Sequence, residues 1–418
     1  MMRQVIRKPY FNLVTFLGAL LVLSQLSMGA AWADDAAAIA DLKAKLAAVQ
    51  KDVAQLTQNQ GKNFSDYGIP LHGFADVGYT HASNNDTRLD QAGRGFWANS
   101  LDFYLTPQFG DRGKGLVELL FEFLADGGLA TDLERIQFGY TFNDQLTAWM
   151  GRFHAPYGYW NTGFHHGAEI QPSILRPRFI DFEDKGGVLP AHVMGAWATG
   201  SLPIGNAKLL YDFYIGNGNA IAEVDTTGGA THTGALAINN SRDSNGNKMV
   251  GANIGYKVGD MIIGAHAFTE RVNFSDASAT PLTGEVSVKM TGLYAAHEND
   301  NWENIAEYYH FSNDNATAGT GTNSSWLGFV QVGRTIAELW TPYVRAEKTV
   351  LDQDDLYFSN QQYGVSYTRQ LVGVRYSLSA KSALKAEVNR TKEGDGTPTT
   401  GPGNGSYSEV RMQYAITF

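Results

Sequence analysis

The residues best able to do chemistry are concentrated in the segment 155–189, which reads APYGYWNTGFHHGAEIQPSILRPRFIDFEDKGGVL. Charged side chains gathered at a narrowing of a water-filled passage select solutes by charge and size. Prolines in and directly after the segment restrict its backbone, as a fixed constriction requires. The alternative is a loop that packs against its own domain or a neighbouring subunit and pairs its charges internally. The candidate constriction residues are His165, His166, Glu169, Arg176, Arg178, Asp181, Glu183, Asp184 and Lys185.

Metal and enzyme chemistry are less well supported by the sequence. His165 and His166 are adjacent, and adjacent side chains rarely point at one ion, so we expect hydrogen-bonding histidines and no metal. The chain has no cysteine, no G-x-S-x-G, no H-E-x-x-H and no C-x-x-C-H motif. We therefore predict neither an enzyme nor a cofactor. A hydrolase built from residues distant in sequence stays open, as does a scaffold that sheaths separate electron carriers.

The first 33 residues have the form of a signal peptide. Arg3, Arg7 and Lys8 precede an apolar run, and Ala31-Trp32-Ala33 has the small-x-small pattern of a cleavage site. A membrane-spanning helix is the alternative interpretation. Removing residues 1–33 takes away three positive charges and no acidic ones, so the formal net charge goes from −10 to −13. An exported chain this acidic is a poor candidate for nucleic-acid binding.

Residues 34–58 predict a short periplasmic helix with coiled-coil spacing. Its apolar positions alternate three and four residues apart, as in an a/d seam: Ile39, Leu42, Leu46, Val49, Val53 and Leu56. Such a short coiled coil needs support, which an oligomeric domain could supply. An amphipathic helix lying on its own domain is the alternative. A polar linker at 59–68 follows.

From residue 69 to residue 418 the apolar period becomes two, which predicts β-strands. We predict an all-β fold, a 16-stranded antiparallel transmembrane β-barrel. Connections after even-numbered strands are short and rich in Asn, Asp and Gly, and those after odd-numbered strands are mostly longer, as periplasmic turns and extracellular loops require. The candidate strands are 69–81, 97–108, 114–125, 131–142, 145–154, 190–203, 207–217, 247–258, 260–272, 285–298, 301–312, 323–334, 336–349, 363–378, 381–392 and 407–418. Strands 145–154 and 323–334 alternate poorly, and their faces could not be assigned.

The last strand carries apolar residues at alternate positions and ends on an aromatic residue. Tyr414, Ile416 and Phe418 lie on one face of this strand, opposite Glu409, Arg411 and Gln413. A strand edge of this kind can be recognised by strand addition, so these residues are the predicted signal for the barrel-assembly machinery. An even strand number also requires the last strand to pair with the strand near Leu71.

Alternation assigns many charged side chains to the lumen wall. If they stay apart they create a transverse field that favours polar solutes, and if they pair across neighbouring strands they only fill a polar interior. Acidic loop residues Asp352, Asp354 and Asp355 would mildly enrich cations at the mouth. The lumen-wall candidates are Arg135, Lys208, Arg345, Arg375, Lys385, Arg411, Asp102, Glu118 and Glu122.

The chain resembles Gram-negative porins in five features taken together. These are the signal peptide, the heptads from Ile39 to Leu56, the strand pattern, the long third loop and Phe418. The resemblance is closest to the group with a short N-terminal coiled coil, related to the phosphate-selective porins. It implies an outer-membrane homotrimer that contacts membrane lipid and passes small hydrophilic solutes passively through a lumen narrowed by the third extracellular loop. Segment 155–189 has two arginines and one lysine against four acids, so phosphate selectivity is not carried over.

Overall fold

The computed structural model contains a closed β-barrel of sixteen long strands. The structure describes residues 71–83, 94–124, 127–164, 167–182, 185–224, 234–237, 242–243, 245–276, 284–315, 321–394 and 406–418. The predicted signal peptide 1–33, helix 34–58 and linker 59–68 lie outside the described residues. All sixteen predicted strands are present, with ends shifted by a few residues.

The strands are β1 Leu71–Ala82, β2 Arg94–Leu105, β3 Gly113–Phe123, β4 Leu129–Asn143, β5 Leu146–His154, β6 His192–Ile204, β7 Ala207–Asn217, β8 Lys248–Val258, β9 Met261–Asp276, β10 Gly284–Glu298, β11 Trp302–Asp314, β12 Thr322–Arg334, β13 Trp340–Val350, β14 Tyr367–Ser379, β15 Ser382–Glu393 and β16 Ser406–Thr417. Each pairs antiparallel with the next. Short strands Gln108–Phe109, Ala220–Val224 and Ala235–Leu236 lie in the connections.

The barrel closes between its first and last strands. β1 and β16 are antiparallel neighbours from Phe74 opposite Thr417 to Ala82 opposite Glu409. Phe418 extends this ladder, because its N–H donates to the Gly73 carbonyl at 3.0 Å and its carbonyl accepts from the Gly73 N–H at 3.1 Å. The predicted pairing of the last strand with the strand near Leu71 is confirmed. Closure leaves no free sheet edge, which is how a β-structure satisfies its backbone in a membrane.

The connections at the two ends of the barrel differ in length, as predicted. At the short-turn end, Gly205 and Gly259 adopt positive φ angles of 60° and 55° in tight turns, a conformation that suits glycine. The opposite, long-loop end carries loop 3, residues 155–191, with helix α1 Trp160–Gly163 and a 3₁₀ turn Arg178–Ile180. It also carries loop 7, residues 351–366, with helix α2 Leu356–Ser359. Among the described residues, no helix has the length and apolar character needed to cross a membrane.

The outer face of the barrel is apolar. Phe96 is 89% exposed and Met150 is 69% exposed, which is costly in water and favourable in lipid. Rings such as Trp340 and Tyr376, whose centroids are 4.4 Å apart, lie on this face near the short-turn end. Aromatic side chains at that level are typical of the membrane interface. The outer face therefore matches a lipid-facing belt.

The lumen is not evenly polar, because part of its wall is packed against loop 3. Trp160 and Phe179 of the loop are buried with Leu327 and Phe329 of β12, and the Trp160 and Phe329 ring centroids are 5.8 Å apart. This packing explains why strand 323–334 alternates poorly in sequence. Its inward residues face an apolar loop and its outward residues face lipid, so neither face needs to be polar.

Candidate pore constriction

Loop 3 enters the barrel directly from the end of β5. Tyr157, Trp160, Phe179 and Ile180 are each no more than 1% exposed, so the loop is folded inside the lumen and does not extend into solvent. Gly158 has a φ angle of +65°, and a Cβ at this position would lie 2.4 Å from both the Glu307 carboxylate and the Tyr309 hydroxyl. Only glycine lets the loop turn this close to the wall.

The first part of the loop is bound by acceptors on β10 and β11. Glu307 Oε1 accepts hydrogen bonds from the backbone N–H groups of Tyr159, at 3.1 Å, and Trp160, at 2.6 Å. The Tyr159 hydroxyl donates to Glu298 at 2.7 Å. The Glu307 carboxylate thus satisfies the backbone donors at the start of α1, which has no side-chain cap of its own.

The middle of the loop is bound by basic residues on the opposite wall. Arg345 on β13 donates to the carbonyls of Leu175 at 2.8 Å and Arg176 at 2.9 Å. Lys385 on β15 donates to the carbonyls of Ala168 and Gln171, both at 2.6 Å. Arg375 on β14 donates to the Glu169 carbonyl and forms an ion pair with the Glu169 carboxylate. These three predicted lumen-wall bases therefore contact loop 3 in place of open solvent.

The last part of the loop is held by a buried ion pair. Arg178 and Glu393 on β15 are 2.7 Å apart, and each side chain is 1% exposed. The Arg178 guanidinium also lies 4.9 Å from the ring centroid of Tyr367, and its backbone N–H donates to Glu347 on β13 at 2.9 Å. Arg178 was predicted to line the constriction, but the structure buries it between the loop and the wall.

Loop 3 leaves a cavity along the other side of the lumen, which we call the loop-side cavity. Arg176, Asp181 and Lys185 border it from the loop. Lys185 pairs with Glu122 on β3 at 2.6 Å, and Arg176 lies 3.5 Å from Asp181. Burial raises the pKa of Asp181 and lowers the pKa of Arg176. The wall contributes charges of both signs: Asp76, Asp102, Glu122, Glu409, Arg369 and Arg411.

The remaining predicted residues fall into three groups. Arg135 pairs with Glu118 on the neighbouring strand β3, and Arg411 with Glu409 two residues away at 2.8 Å, so these charges pair locally. Lys208 occupies an exposed position near the short-turn end. His165, His166, Glu183 and Asp184 lie outside the described residues.

One wall residue was not predicted from the sequence, and one loop residue was predicted in the wrong environment. Arg369 on β14 borders the loop-side cavity, and its position on the inward face of the strand could have identified it. Asp355 was expected at the mouth but is fully buried. It caps α2 by accepting from the Tyr357 N–H at 3.0 Å, and it accepts from Asn313 at 2.9 Å. The expected enrichment of cations by Asp355 is therefore wrong, because this carboxylate does not reach solvent.

A second space, the turn-side cavity, lies between loop 3 and the short turns and has a volume of about 610 Å³. Trp149, Trp197, Asp212 and Asn253 border it, and Pro156 and Tyr159 of loop 3 cover it. His154, also at this cavity, has its ring centroid 5.2 Å from that of His192. Among the residues that the structure describes, no group of three His, Asp or Glu side chains could hold a metal ion.

The closed sixteen-stranded barrel, its apolar outer belt and the loop folded into its lumen define a porin-type barrel of the bacterial outer membrane. No family model and no curated protein sequence matches the chain. The similarity of this chain to solved structures therefore concerns the fold alone.

Three solved structures illustrate this fold. Outer-membrane expressed OmpT of Vibrio cholerae is 10% identical, with a TM-score of 0.53 over 84% of this chain and 97% of that chain. An anion-selective porin from Comamonas acidovorans is 13% identical, with a TM-score of 0.51 over 84% and 99% of the two chains. The outer membrane channel DcaP of Acinetobacter baumannii is 12% identical, with a TM-score of 0.50 over 84% and 97%.

Proposed function

We propose that the protein is an outer-membrane porin that passes small hydrophilic solutes or ions by passive diffusion, through a lumen narrowed by loop 3. The observation that carries this proposal is the attachment of loop 3 to β10, β11 and β13–β15. The loop-side cavity then lies between the loop and the wall formed by β14, β16 and β1–β3. A narrow, water-accessible gap bordered by fixed charges is what a diffusion channel needs.

The proposed constriction set is smaller than the predicted one. It consists of Arg176, Asp181 and Lys185 on the loop, with Asp76, Asp102, Glu122, Arg369 and Arg411 on the wall. Because both signs of charge border the cavity, polar solutes with a dipole fit it better than apolar ones. Nothing in this charge set favours phosphate over other ions.

The assembly state and the assembly signal belong to the same proposal. We expect a homotrimer, on the basis of the heptads at 39–56 and the porin resemblance. A trimer form is named for OmpT of Vibrio cholerae. Tyr414, Ile416 and Phe418 would act as the recognition edge for the barrel-assembly machinery.

Planar bilayer recording tests the channel directly. The purified, folded protein should insert as stepwise ion channels with three conductance levels for each insertion event. Deleting residues 160–186 should raise the conductance of each level, because the loop that fills the lumen is gone. An unchanged conductance in the deletion variant contradicts the constriction.

Planar bilayer recording also distinguishes the porin from the scaffold and hydrolase hypotheses. Folded protein that forms no channels would favour the scaffold or the hydrolase hypothesis. The scaffold hypothesis requires room for a partner inside the barrel, and buried loop residues such as Trp160 and Phe179 already occupy much of that space. We therefore favour the porin.

A further inference from the structure

Two nearly parallel tryptophan rings border the turn-side cavity. Trp149 lies against Gly139 on β4, where an added Cβ would come within 2.5 Å of the indole. The Trp149 and Trp197 rings are nearly parallel, at 17°, with centroids 6.2 Å apart. Both indoles are partly exposed and border the cavity. We call this pair the indole platform.

A carboxylate lies at the edge of the indole platform. Asp212 Oδ1 accepts from the Trp197 indole N–H at 3.0 Å, and Asp212 Oδ2 accepts from the Asn253 amide at 3.1 Å. Each carboxylate oxygen can accept more than one hydrogen bond, and Asp212 is partly exposed at the cavity. The carboxylate is thus fixed in orientation and still able to accept a hydrogen bond from a solute hydroxyl.

This inference rests on the proposed porin function: we infer that the turn-side cavity is a binding subsite for a sugar ring. A pyranose ring has a face of C–H groups and a rim of hydroxyl groups. The C–H face would stack on the indole platform while a rim hydroxyl donates to Asp212. A cavity of about 610 Å³ lies within the usual range for small-molecule sites.

The charges around the cavity favour a neutral ring over an aromatic cation. The Lys114 ammonium lies 5.2 Å from the Trp149 ring centroid, so a positive charge is already present beside the indole platform. Arg135 also borders the cavity. Arg135 is paired with Glu118, so the Lys114 ammonium is the group that would repel a cationic solute, whereas a neutral sugar would not be repelled.

Two measurements test the subsite. Maltose and glucose should reversibly block the ion current through single channels in a planar bilayer, and sorbitol, which has hydroxyls but no ring face, should not. Maltose should also change the tryptophan fluorescence of the folded protein in detergent, a readout that needs no channel. Sugar-dependent fluorescence in a protein without channels would keep this inference and reject the porin. Channels that maltose and sorbitol affect equally would reject the subsite and keep the porin.

Substitutions at the platform sharpen the test. Trp197→Leu and Asp212→Asn should each weaken maltose block roughly fivefold to tenfold, the loss of one stacking or hydrogen-bonding contact. Trp326→Leu, a matched change on the outer face of β12, should leave the block unchanged. Conductance without sugar verifies that each variant is folded. An aromatic cation that blocks the wild-type channel more strongly than maltose does would overturn the sugar assignment.

Discussion

The carboxylate of Glu307 on β11 and the backbone N–H of Trp160 in loop 3 are 2.6 Å apart and buried together. The same carboxylate oxygen accepts from the Tyr159 N–H. One wall side chain therefore satisfies two backbone donors at the point where the loop turns into the lumen. Without that acceptor, the start of α1 would be buried with unpaired N–H groups.

Replacing Glu307 should loosen loop 3. Glu307→Ala should lower the free energy of unfolding by about 1–3 kcal/mol for the unsatisfied backbone groups, and it should increase open-channel current noise. Urea unfolding in detergent and single-channel recording measure the two effects. Glu303→Ala removes a carboxylate from the same strand and face and serves as the matched control. Equal effects in the two variants would show that charge, not attachment of the loop, is responsible.

The Lys185–Glu122 ion pair should influence ion selectivity, because it joins loop 3 to the wall of the loop-side cavity. Lys185→Gln leaves Glu122 in excess and should raise the cation-to-anion permeability ratio roughly twofold to fivefold, and Glu122→Gln should lower it. The reversal potential in a salt gradient measures the ratio. The double variant Glu122→Lys with Lys185→Glu should return it close to the wild-type value. A reversal potential that ignores all three changes would remove this pair from the ion path.

Asp355 should make the stability of loop 7 depend on pH. Burial raises the pKa of Asp355 from 3.8 to about 6, so the folded protein binds this proton more tightly than the unfolded chain does. The contribution of this group to stability is fully present below pH 3.8 and is lost as the pH rises through about 6. The shift corresponds to at most about 3 kcal/mol.

Asp355→Asn keeps an oxygen for the N-cap of α2 but does not titrate. The free energy of unfolding of the wild type relative to this variant should therefore fall between pH 4 and pH 7, as measured by urea titrations. A constant difference across that range would mean that Asp355 is ionised as easily in the folded protein as in the unfolded chain.

Replacing Phe418 should impair assembly into the outer membrane more than it lowers the stability of the folded barrel. The Phe418 ring lies against Gly73, where an added Cβ would come within 2.3 Å, and meets Phe103 edge-on with centroids 6.0 Å apart. Phe418→Ala should reduce the amount in the outer membrane several-fold, while refolding in detergent changes little. Immunoblots of membrane fractions and heat-modifiable gel mobility measure the two. Met412→Ala, on the same face of β16, is the control, and equal losses in both variants would contradict a specific signal.

The strands and the closure of the barrel could be predicted from the sequence, whereas the contacts between loop 3 and the lumen wall could not. Strand number, closure and the inward position of residues such as Arg411 follow from local alternation and turn residues, which are short-range properties. The partners of Arg345 and Lys385 could not be predicted, since their acceptors are loop carbonyls more than a hundred residues away in sequence. Alternation assigns a side chain to the lumen, but it does not distinguish a side chain that meets water from one that meets a loop.

Local alternation also failed to predict the apolar part of the lumen. Leu327 and Phe329 broke the expected pattern because their environment is created by Trp160 and Phe179, residues of a distant segment. The indole platform was missed for a related reason. Trp149 and Trp197 come from β5 and β6, and only the strand register brings their rings side by side.

The off-centre position of loop 3 divides the circumference of the barrel into two arcs with different tolerance to change. Residues of β9–β13 are packed like the interior of a soluble domain, so substitutions there should cost stability first. Residues of β1–β3 and β16 border the loop-side cavity, so substitutions there should alter ion selectivity while the fold survives. Under the proposed porin function, ion selectivity could thus be redesigned, or could diverge among descendants of this protein, by changes confined to a few adjacent strands.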